Sequence, residues 1–565
     1  MKSLACKCLL LCLLATIQAF GTHHENLSGF EKAITQLALD QYGLIIDKSP
    51  ENKKIRKFHF YTQDPFDKSD RLTAWLNYIQ FKTKYSALKN QLWMHPGDVY
   101  DANILIENEQ ALLNPLVRSF ALIFPVQVSN DPSSTEVDLL VVTKDIFNWQ
   151  GTSTISTAGA ALGNLSLGLY QTNLFGLNKT IGVNFNLNQA IMNLSGYYFD
   201  PSLLSTKNQL TLQQGVYLNR QGFGYEGLNT TFLLNYPLAT EDTPWGYAAS
   251  FSYNNQPMYD FVGTDIRTFE GFKKQYRALQ ISPQLFVVRS FGKKTKHNLS
   301  FGYGANLNQY KPLEDVPESF KQAVLPYSEF QSFLILRYST FQNRYQAFYD
   351  YNTFALTEWV QLGPSLSLAN HIALGPILGS DHTFWAPILS LGASAAPTQD
   401  SLVSASAQLQ TRIQDSFLNN QVTVSLTAVS PSIFKFGRFV ASSTYAQLWN
   451  SLNNAYFTLG GEAGLRGAPY RYYLGRQFFR QNLEFRTRSL PFWIFRFGLV
   501  AFYDLGAAFS GQAGFNPTHD VGLGLRILSV PWNRLLIRVD AATPVGGPLV
   551  GFQNTLITLG IGQAF

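Results

Sequence analysis

The end of the chain alternates strictly between apolar and small side chains, and this alternation limits the possible fold more than any other feature. In TLITLGIGQAF, every second residue from Ile557 to Phe565 is apolar, apart from Gln563, and the residues between them are Thr, Gly or Ala. Successive side chains of a β-strand point to opposite faces. The segment therefore predicts a closing strand with one apolar face.

The composition extends this interpretation to most of the chain. Charged residues make up 14% of the sequence, against about 25% in ordinary soluble domains, and aromatic residues also make up 14%, including 44 Phe and 28 Tyr. Beyond residue 21, no apolar run reaches the roughly 18 residues of a membrane helix. Low charge and many aromatic rings without such helices predict a transmembrane β-barrel, and the final Phe565 is typical of bacterial outer-membrane barrels.

The first 21 residues have the pattern of a signal peptide. Lys2 and Lys7 flank the apolar run CLLLCLLATIQAF, and Ala19 supplies a small residue near the expected cleavage site. The run is too short to span a bilayer. The three cysteines all lie in this segment, so the mature chain is predicted to contain no thiol. We expect a protein of the bacterial cell outer membrane with its N-terminal domain in the periplasm.

The remaining chain divides into three parts by pattern. Residues 22–50 contain a short amphipathic helix, and residues 51–147 read as strand, helix, helix, strand and strand, which predicts a small α+β domain. Within that domain, one helix is expected over residues 76–93. Residues 148–565 lack helical periodicity, and strands of about 9–11 residues with turns and longer loops give an all-β antiparallel barrel of about 16 strands.

Motifs of known chemistry are absent from the sequence. It contains no Gly-x-Ser-x-Gly elbow, no Walker loop and no His-Glu-x-x-His helix, and each of these carries a specific reaction. The net charge of +6 is spread along the chain and does not indicate nucleic-acid binding. We expect no enzymatic activity, no catalytic residue, no cofactor and no metal site.

Strand parity predicts which charged residues of the barrel point inward. A charge on the lipid-facing side costs about 2–4 kcal/mol near the midplane, so Asp504 in FRFGLVAFYDLGA must face the lumen. The same test applied to neighbouring strands predicts a lumen charge cluster of Arg480, Glu484, Arg486, Arg496, Arg526, Arg538 and Asp540.

The segment LGGEAGLRGAPYRYYLGRQ, residues 459–477, holds five glycines around Arg466. It lacks both helical and strand periodicity and predicts a tightly folded loop. Two interpretations of Arg466 follow from the residues. Its guanidinium is either held by inward carboxylates, which it can meet in a bidentate way, or exposed to solvent or lipopolysaccharide at a loop tip.

Four passages in order along the chain resemble the superfamily of BamA, TamA and the two-partner-secretion transporters. They are the α+β pattern from SPENKKIRKFHFYTQDPF to VDLLVVTKDIF, the hairpin GLYQTNLFGLNKTIGVNF, the loop GLRGAPYRYYLGRQFFRQNLEFR, and the closing run from FYDLGAAF to TLGIGQAF. The resemblance implies a periplasmic POTRA domain and a 16-stranded outer-membrane barrel.

The resemblance also implies a role for the loop. In that superfamily the loop folds back into the lumen, and its arginine meets an aspartate on an inner strand. Carried over, Leu465-Arg466-Gly467 is the motif and Asp504 the partner, with Glu484 and Asp540 as competing partners. Gly464 and Gly467 would let the backbone fold sharply.

The implied function is insertion or translocation of other polypeptides at the outer membrane. The POTRA-like domain would capture strands by β-augmentation, and the seam between first and last barrel strands would open. The expected first strand, Gly151 to Gly163, is rich in small residues, which suits a weak seam.

The expected partners are unfolded outer-membrane or secreted polypeptides, outer-membrane lipid and lipopolysaccharide, and periplasmic accessory proteins. The chain has room for one POTRA-like domain, whereas the dedicated assembly proteins carry more. The alternative function is a passive outer-membrane channel or surface antigen without insertase activity.

Overall fold

A computed structural model provides the structure of this chain. It describes residues 27, 29–114, 117–128, 134–158, 161–238, 240, 243–262, 265–461, 464–510, 515–529, 531–532, 536–551 and 555–564. The predicted signal peptide and Phe565 lie outside the described residues. Among the helices that are described, none is both long and apolar enough to cross a membrane.

The N-terminal domain is built on a three-stranded sheet. Its strands are β1 (Lys54–Gln63), β2 (Arg118–Gln127) and β3 (Glu136–Asp145), in the order β1-β3-β2, with β3 parallel to β1 and antiparallel to β2. The helices are α1 (Gly29–Tyr42), α2 (Tyr85–Gln91) and α3 (Ala102–Leu112).

Helices cover both faces of this sheet. Leu88 of α2 and Leu105 of α3 pack on one face with Val141 of β3, whereas Ile34 of α1 packs on the other face with Leu140. Strands that are buried on both faces carry continuous apolar runs rather than alternating ones. This burial explains the runs FALIF and LLVV in β2 and β3.

The single helix expected over residues 76–93 is wrong. The structure has a 3₁₀ helix, Ala74–Ile79, followed by an extended segment and then by α2. None of the residues in the 3₁₀ helix is buried, so no packed apolar face extends the helix across this segment.

Among the described residues, 20 antiparallel strands form a closed barrel. In chain order, β4 to β23 are Trp149–Ala158, Ala161–Leu174, Lys179–Leu187, Ile191–Asp200, Gln209–Asn219, Tyr225–Tyr236, Trp245–Tyr259, Gln275–Phe291, Thr295–Pro312, Glu329–Gln342, Gly363–Leu374, Thr383–Ala395, Leu402–Ile413, Phe417–Val429, Gly437–Trp449, Gln477–Thr487 (continued by Leu490–Phe492), Phe495–Phe509, Thr518–Ser529, Ile537–Gly546 and Leu556–Ile561.

Shorter elements lie in the loops. They are the ribbons Phe261–Val262 with Asp265–Ile266, Thr268–Phe269 with Phe272–Lys273, Tyr345–Tyr349 with Thr357–Gln361, and Phe457–Leu459 with Tyr473–Gly475, the α-helix Glu318–Val324, and the 3₁₀ turns Leu203–Ser205 and Gly375–Ile377.

The expectation of 16 strands is therefore wrong. It assumed longer loops, whereas several hairpins turn within a few residues, such as β6 to β7 through residues 188–190 and β11 to β12 through residues 292–294. The expected first strand, Gly151 to Gly163, also spans a hairpin, because β4 ends at Ala158 and β5 begins at Ala161.

The outer and inner faces of the barrel differ as parity requires. On β12, Leu299, Phe301 and Tyr303 are exposed on the outside, and they alternate with Ser300 and Gly302 on the inside. Glycine and serine occupy little space, so the inner face leaves room for segments that enter the lumen.

The barrel closes through a weak seam. Among the described residues, the last strand, β23, pairs with β22 at six positions but with the first strand, β4, at one position, Leu559 with Ile155. By contrast, β4 pairs with β5 along its whole length. In the part of the chain that the structure describes, β23 and β4 thus share far less strand pairing than their neighbours do.

The N-terminal domain contacts the barrel on both sides of this seam. On the β4 side, the backbone N–H of Lys84 donates to the carbonyl oxygen of Gly176 in the β5–β6 turn, at 2.9 Å. On the β23 side, the N–H of Phe147 donates to the carbonyl of Pro531 at 2.8 Å, and its ring packs edge-on against Trp532 in the β21–β22 turn.

Candidate functional site

The loop between β18 and β19 enters the barrel lumen. Its tip is a tight turn in which Gly461 N–H donates to the Ala468 carbonyl at 2.7 Å. Leu459, Leu465 and Ala468 are buried and pack together with Ala508 of β20. Because Leu465 is held by these apolar contacts, the next residue, Arg466, lies against the inner wall.

Arg466 is 2% exposed and contacts three carboxylates. Its Nε and Nη2 each donate to one carboxylate oxygen of Asp504 at 2.7 Å. Its Nη1 donates to Glu484 Oε1 at 2.6 Å and to Asp540 Oδ2 at 3.3 Å. The sequence left these three acids as competitors, and the guanidinium fork reaches all of them because they lie on the inner faces of β19, β20 and β22.

Further arginines pair with the carboxylates of this cluster. Arg486 Nε donates to Glu484 Oε2 at 2.7 Å, and Arg526 Nη1 donates to Asp540 Oδ1 at 2.6 Å. With Arg466 and with Arg538, whose Nε lies 3.6 Å from Asp540 Oδ2, four guanidinium groups surround the three carboxylates. Buried ions are stable when every charge is paired and hydrogen-bonded, and removal of one partner leaves another uncompensated.

Two glycines make room for the loop tip. Gly464 has φ +90°, a conformation that L side chains rarely adopt, and its carbonyl accepts a hydrogen bond from Asn482 Nδ2 at 2.7 Å. The N–H of Gly467 donates to Asp520 Oδ2 at 2.7 Å. A Cβ at position 467 would lie 2.5 Å from the carboxyl carbon of Asp520, so any side chain there would displace the loop.

Of the other residues predicted to face inward, Arg538 and Arg480 lie beside the cluster and Arg496 lies apart from it. Arg538 Nε lies 3.6 Å from Asp540 Oδ2, and Arg480 Nη2 donates to Thr444 Oγ1 at 3.5 Å. Arg496 is separate from them, at the end of the barrel nearest the N-terminal domain, where its Nε donates to Ser489 Oγ at 3.0 Å.

Three residues of the site are absent from the sequence prediction, and a fourth was expected on the other face of its strand. Asp520 and Asn482 hold the loop backbone, and parity on β21 and β19 could have found both of them. Phe502 lies under Arg466, whose Cζ is 3.4 Å from the ring centroid. Gln563 was expected on the outer face, but Gly562 has φ +82° and reverses the alternation, so Gln563 Oε1 accepts a hydrogen bond from Arg526 Nε at 3.0 Å.

A second segment enters the lumen from the end nearest the N-terminal domain. The connection between β13 and β14 contains the ribbon Tyr345–Tyr349 with Thr357–Gln361, and its tip, residues 350–356, reaches the inner wall across the barrel. There Phe354 clusters with Leu528 and Leu536. We call residues 345–361 the proximal hairpin.

The tip of the proximal hairpin is held in a fixed shape by its own side chains. Glu358 accepts hydrogen bonds from three successive backbone N–H groups, those of Tyr351 at 3.1 Å, Asn352 at 2.9 Å and Thr353 at 3.0 Å. Asp350 accepts one more from the N–H of Ala355 at 2.8 Å. These bonds satisfy successive backbone donors at the tip, including the N–H of the buried Thr353.

Arg486 connects the two lumen segments. Its Nε is bound to Glu484, which also holds Arg466, and its Nη1 donates to the carbonyl oxygen of Tyr351 at 3.3 Å. One ion and hydrogen-bond network therefore runs from the β18–β19 loop to the proximal hairpin, and the lumen is crossed from both ends.

No protein-family model and no curated protein sequence matches this chain. Solved structures do match over most of its length. CdiB from Acinetobacter baumannii is 12% identical with a TM-score of 0.42, covering 94% of this chain and 81% of that one. CdiB from Escherichia coli is 11% identical with a TM-score of 0.39, covering 97% and 92%. BamA from Haemophilus ducreyi lacking POTRA domains 1–3 is 11% identical with a TM-score of 0.34, covering 94% and 92%. All three superpose only loosely on this 20-stranded barrel.

Proposed function

We propose that this chain is an outer-membrane barrel that inserts or translocates polypeptides through its seam. The single observation that carries the proposal is the seam itself, which pairs at one position. Unpaired N–H and C=O groups along a strand are a template for another strand. A client strand can pair with β23 or β4 without first breaking a full ladder of hydrogen bonds, each worth about 0.5–1.5 kcal/mol net.

The N-terminal domain offers a second site for strand capture. β1 is an edge of the three-stranded sheet, and in the described residues its outer side is bridged at Lys54 by Val99. Beyond Lys54, no other described strand pairs with that side of β1, and we propose that an extended polypeptide binds there by β-augmentation. We propose the periplasm as the location of this domain and unfolded barrel or secreted polypeptides as its clients.

The passive channel is the weaker alternative. Its function requires an open lumen, whereas the β18–β19 loop and the proximal hairpin both cross this one and are joined through Arg486. A plugged lumen suits a protein whose working opening is lateral. We propose no enzymatic role for the inward carboxylates Glu484, Asp504 and Asp540, because each is ion-paired to arginine.

A disulfide across the seam tests this proposal. Ile155→Cys with Leu559→Cys would lock β4 to β23, and we expect loss of other barrels or of one exported protein from the outer-membrane proteome, restored by a reductant. The matched control pair, Leu525→Cys with Val539→Cys, links two neighbours inside the continuous sheet and should have no effect. An unchanged proteome with the seam fully oxidised refutes lateral function and favours the passive role.

A further inference from the structure

We infer that an exposed aromatic segment of the N-terminal domain lies in the interfacial region of a phospholipid leaflet beside the barrel. The segment consists of Leu72, Trp75, Tyr78 and Ile79, and we call it the aromatic ledge. The inference rests on the proposed membrane location of the barrel but not on its polypeptide clients.

Nothing in the described part of the chain covers the aromatic ledge. Leu72 is 70% exposed, Trp75 55%, Tyr78 90% and Ile79 51%. Soluble domains rarely expose large apolar side chains side by side, and such patches mark binding surfaces. Trp and Tyr in particular favour membrane–water interfaces, because their rings are apolar and carry a polar group.

Hydrogen bonds fix the shape of the ledge. Trp75 Nε1 donates to the carbonyl of Leu72 at 3.0 Å. Asn77 donates from Nδ2 to the carbonyl of Phe66 at 2.9 Å and accepts from the Phe66 N–H at 3.3 Å. The exposed rings therefore project from an ordered backbone, which reduces the entropy lost when they enter an interface.

The ledge is attached directly to the rim of the barrel. Trp493, in the turn between β19 and β20, donates from Nε1 to Asp70 Oδ2 at 2.9 Å. On the same rim, Leu490 and Phe492 are each 70% exposed and Trp493 is 56% exposed. Through Asp70, the ledge thus lies beside exposed apolar side chains of the barrel rim, and this proximity favours lipid as the occupant.

The charges around the ledge indicate the kind of contact. Between Asp64 and Lys84 the sequence carries four basic and three acidic residues, and Lys68 and Lys82 both lie near Asp64, at 3.5 and 3.6 Å. The local charge nearly cancels. Binding through the ledge should therefore depend on buried apolar area and change little with salt or with the fraction of anionic lipid.

Lipid-quenching fluorescence tests this inference on the full-length chain. Tyr78→Cys, in a background with Cys6, Cys8 and Cys12 replaced by Ser, is labelled with an environment-sensitive dye and reconstituted into vesicles of phosphatidylethanolamine and phosphatidylglycerol. We expect a blue-shifted emission that is quenched by lipids brominated near the head group, at low and high salt alike. Ile79→Cys should respond in the same way.

Glu136→Cys is the matched control. Glu136 is exposed at the start of β3, at the opposite end of that strand from the connection to the barrel, and its label should remain unquenched. Solvent-like emission at both 78 and 79 overturns the inference. Quenching that disappears at high salt overturns its apolar character, and protection only on addition of an unfolded barrel polypeptide assigns the ledge to a client instead.

The outcomes separate this inference from the proposed function. A chain that does not float with vesicles refutes the membrane location on which both rest. A chain that floats but gives no quenching at the ledge refutes only the inference. The seam disulfide tests the lateral mechanism independently of either result.

Discussion

Arg466→Ala should release the β18–β19 loop from the lumen. The substitution removes the bidentate bond to Asp504 and the contact with Glu484, in a cluster where Arg466 is 2% exposed. Loss of one partner from a buried ion pair costs about 3–5 kcal/mol. Since each 1.36 kcal/mol is a factor of ten, the undocked fraction of the loop should rise by roughly two to four orders of magnitude.

The labelling rate of a cysteine at position 468 reports this change. Ala468 is fully buried when the loop is docked, so Ala468→Cys should react with a membrane-impermeant maleimide only when the loop leaves the lumen. We expect labelling to accelerate by about two orders of magnitude or more in the Arg466→Ala background, in line with the free energy above.

Arg412→Ala supplies the control. Arg412 is another buried lumen arginine, paired with Glu329 at 2.7 Å, and it is remote from the loop tip. Its loss should leave labelling at position 468 unchanged. An equal rate in the Arg466→Ala and parent chains would refute the attachment role of Arg466, since the loop would then be held by its apolar contacts alone.

Two further predictions concern the proximal hairpin and the N-terminal domain. Phe354→Ala removes a ring that is 4% exposed, and loss of such a buried ring destabilises the docked hairpin by about 3–5 kcal/mol. The substitution should raise the frequency of open events in planar-bilayer conductance, whereas Phe434→Ala, at an exposed position, should not. Equal conductance of the Phe354→Ala and parent chains would refute closure by the hairpin. Burial lowers the pKa of Lys144 from its ordinary 10.5 to about 8. The unfolded chain therefore binds the proton more tightly, and stability should rise between pH 8 and pH 10.5 by about 3 kcal/mol. The urea midpoint of the N-terminal domain, measured in the full-length chain, should rise over this pH range. The midpoint of the Lys144→Met variant should not rise. Parallel pH profiles of the two chains would contradict the assignment of this rise to Lys144.

Strand parity explains why much of the lumen could be predicted from sequence. A charged side chain in a membrane strand costs free energy on the lipid-facing side but not on the lumen side. Parity alone therefore predicts that Asp504, Glu484 and Asp540 face inward. Parity gives no information about loops, and nothing in the sequence indicated that the proximal hairpin enters the lumen. It also fails where the backbone leaves the strand, as at Gly562.

The number of strands could not be predicted for a different reason. A chain of fixed length can form either more strands with short loops or fewer strands with long loops. Apolar alternation does not distinguish these cases, because it does not mark where a short turn falls. The run from Gly151 to Gly163 illustrates this, because its small residues continue across the β4–β5 hairpin. In the N-terminal domain, Tyr78 and Ile79 of the aromatic ledge fall within the helix expected over residues 76–93, because apolar spacing alone does not distinguish an exposed face from a buried one.

The contacts of the N-terminal domain give the seam a direction. Lys84 is bonded to the turn that follows β5, and Phe147 to the turn that precedes β22, so the domain fastens the near ends of both flanking hairpins. The far ends of β4 and β23 have no such attachment within the described residues. The seam is therefore fixed at the end nearest the N-terminal domain and can open at the other end. An entering strand should separate β4 from β23 at the far end first and then pair progressively toward the N-terminal domain.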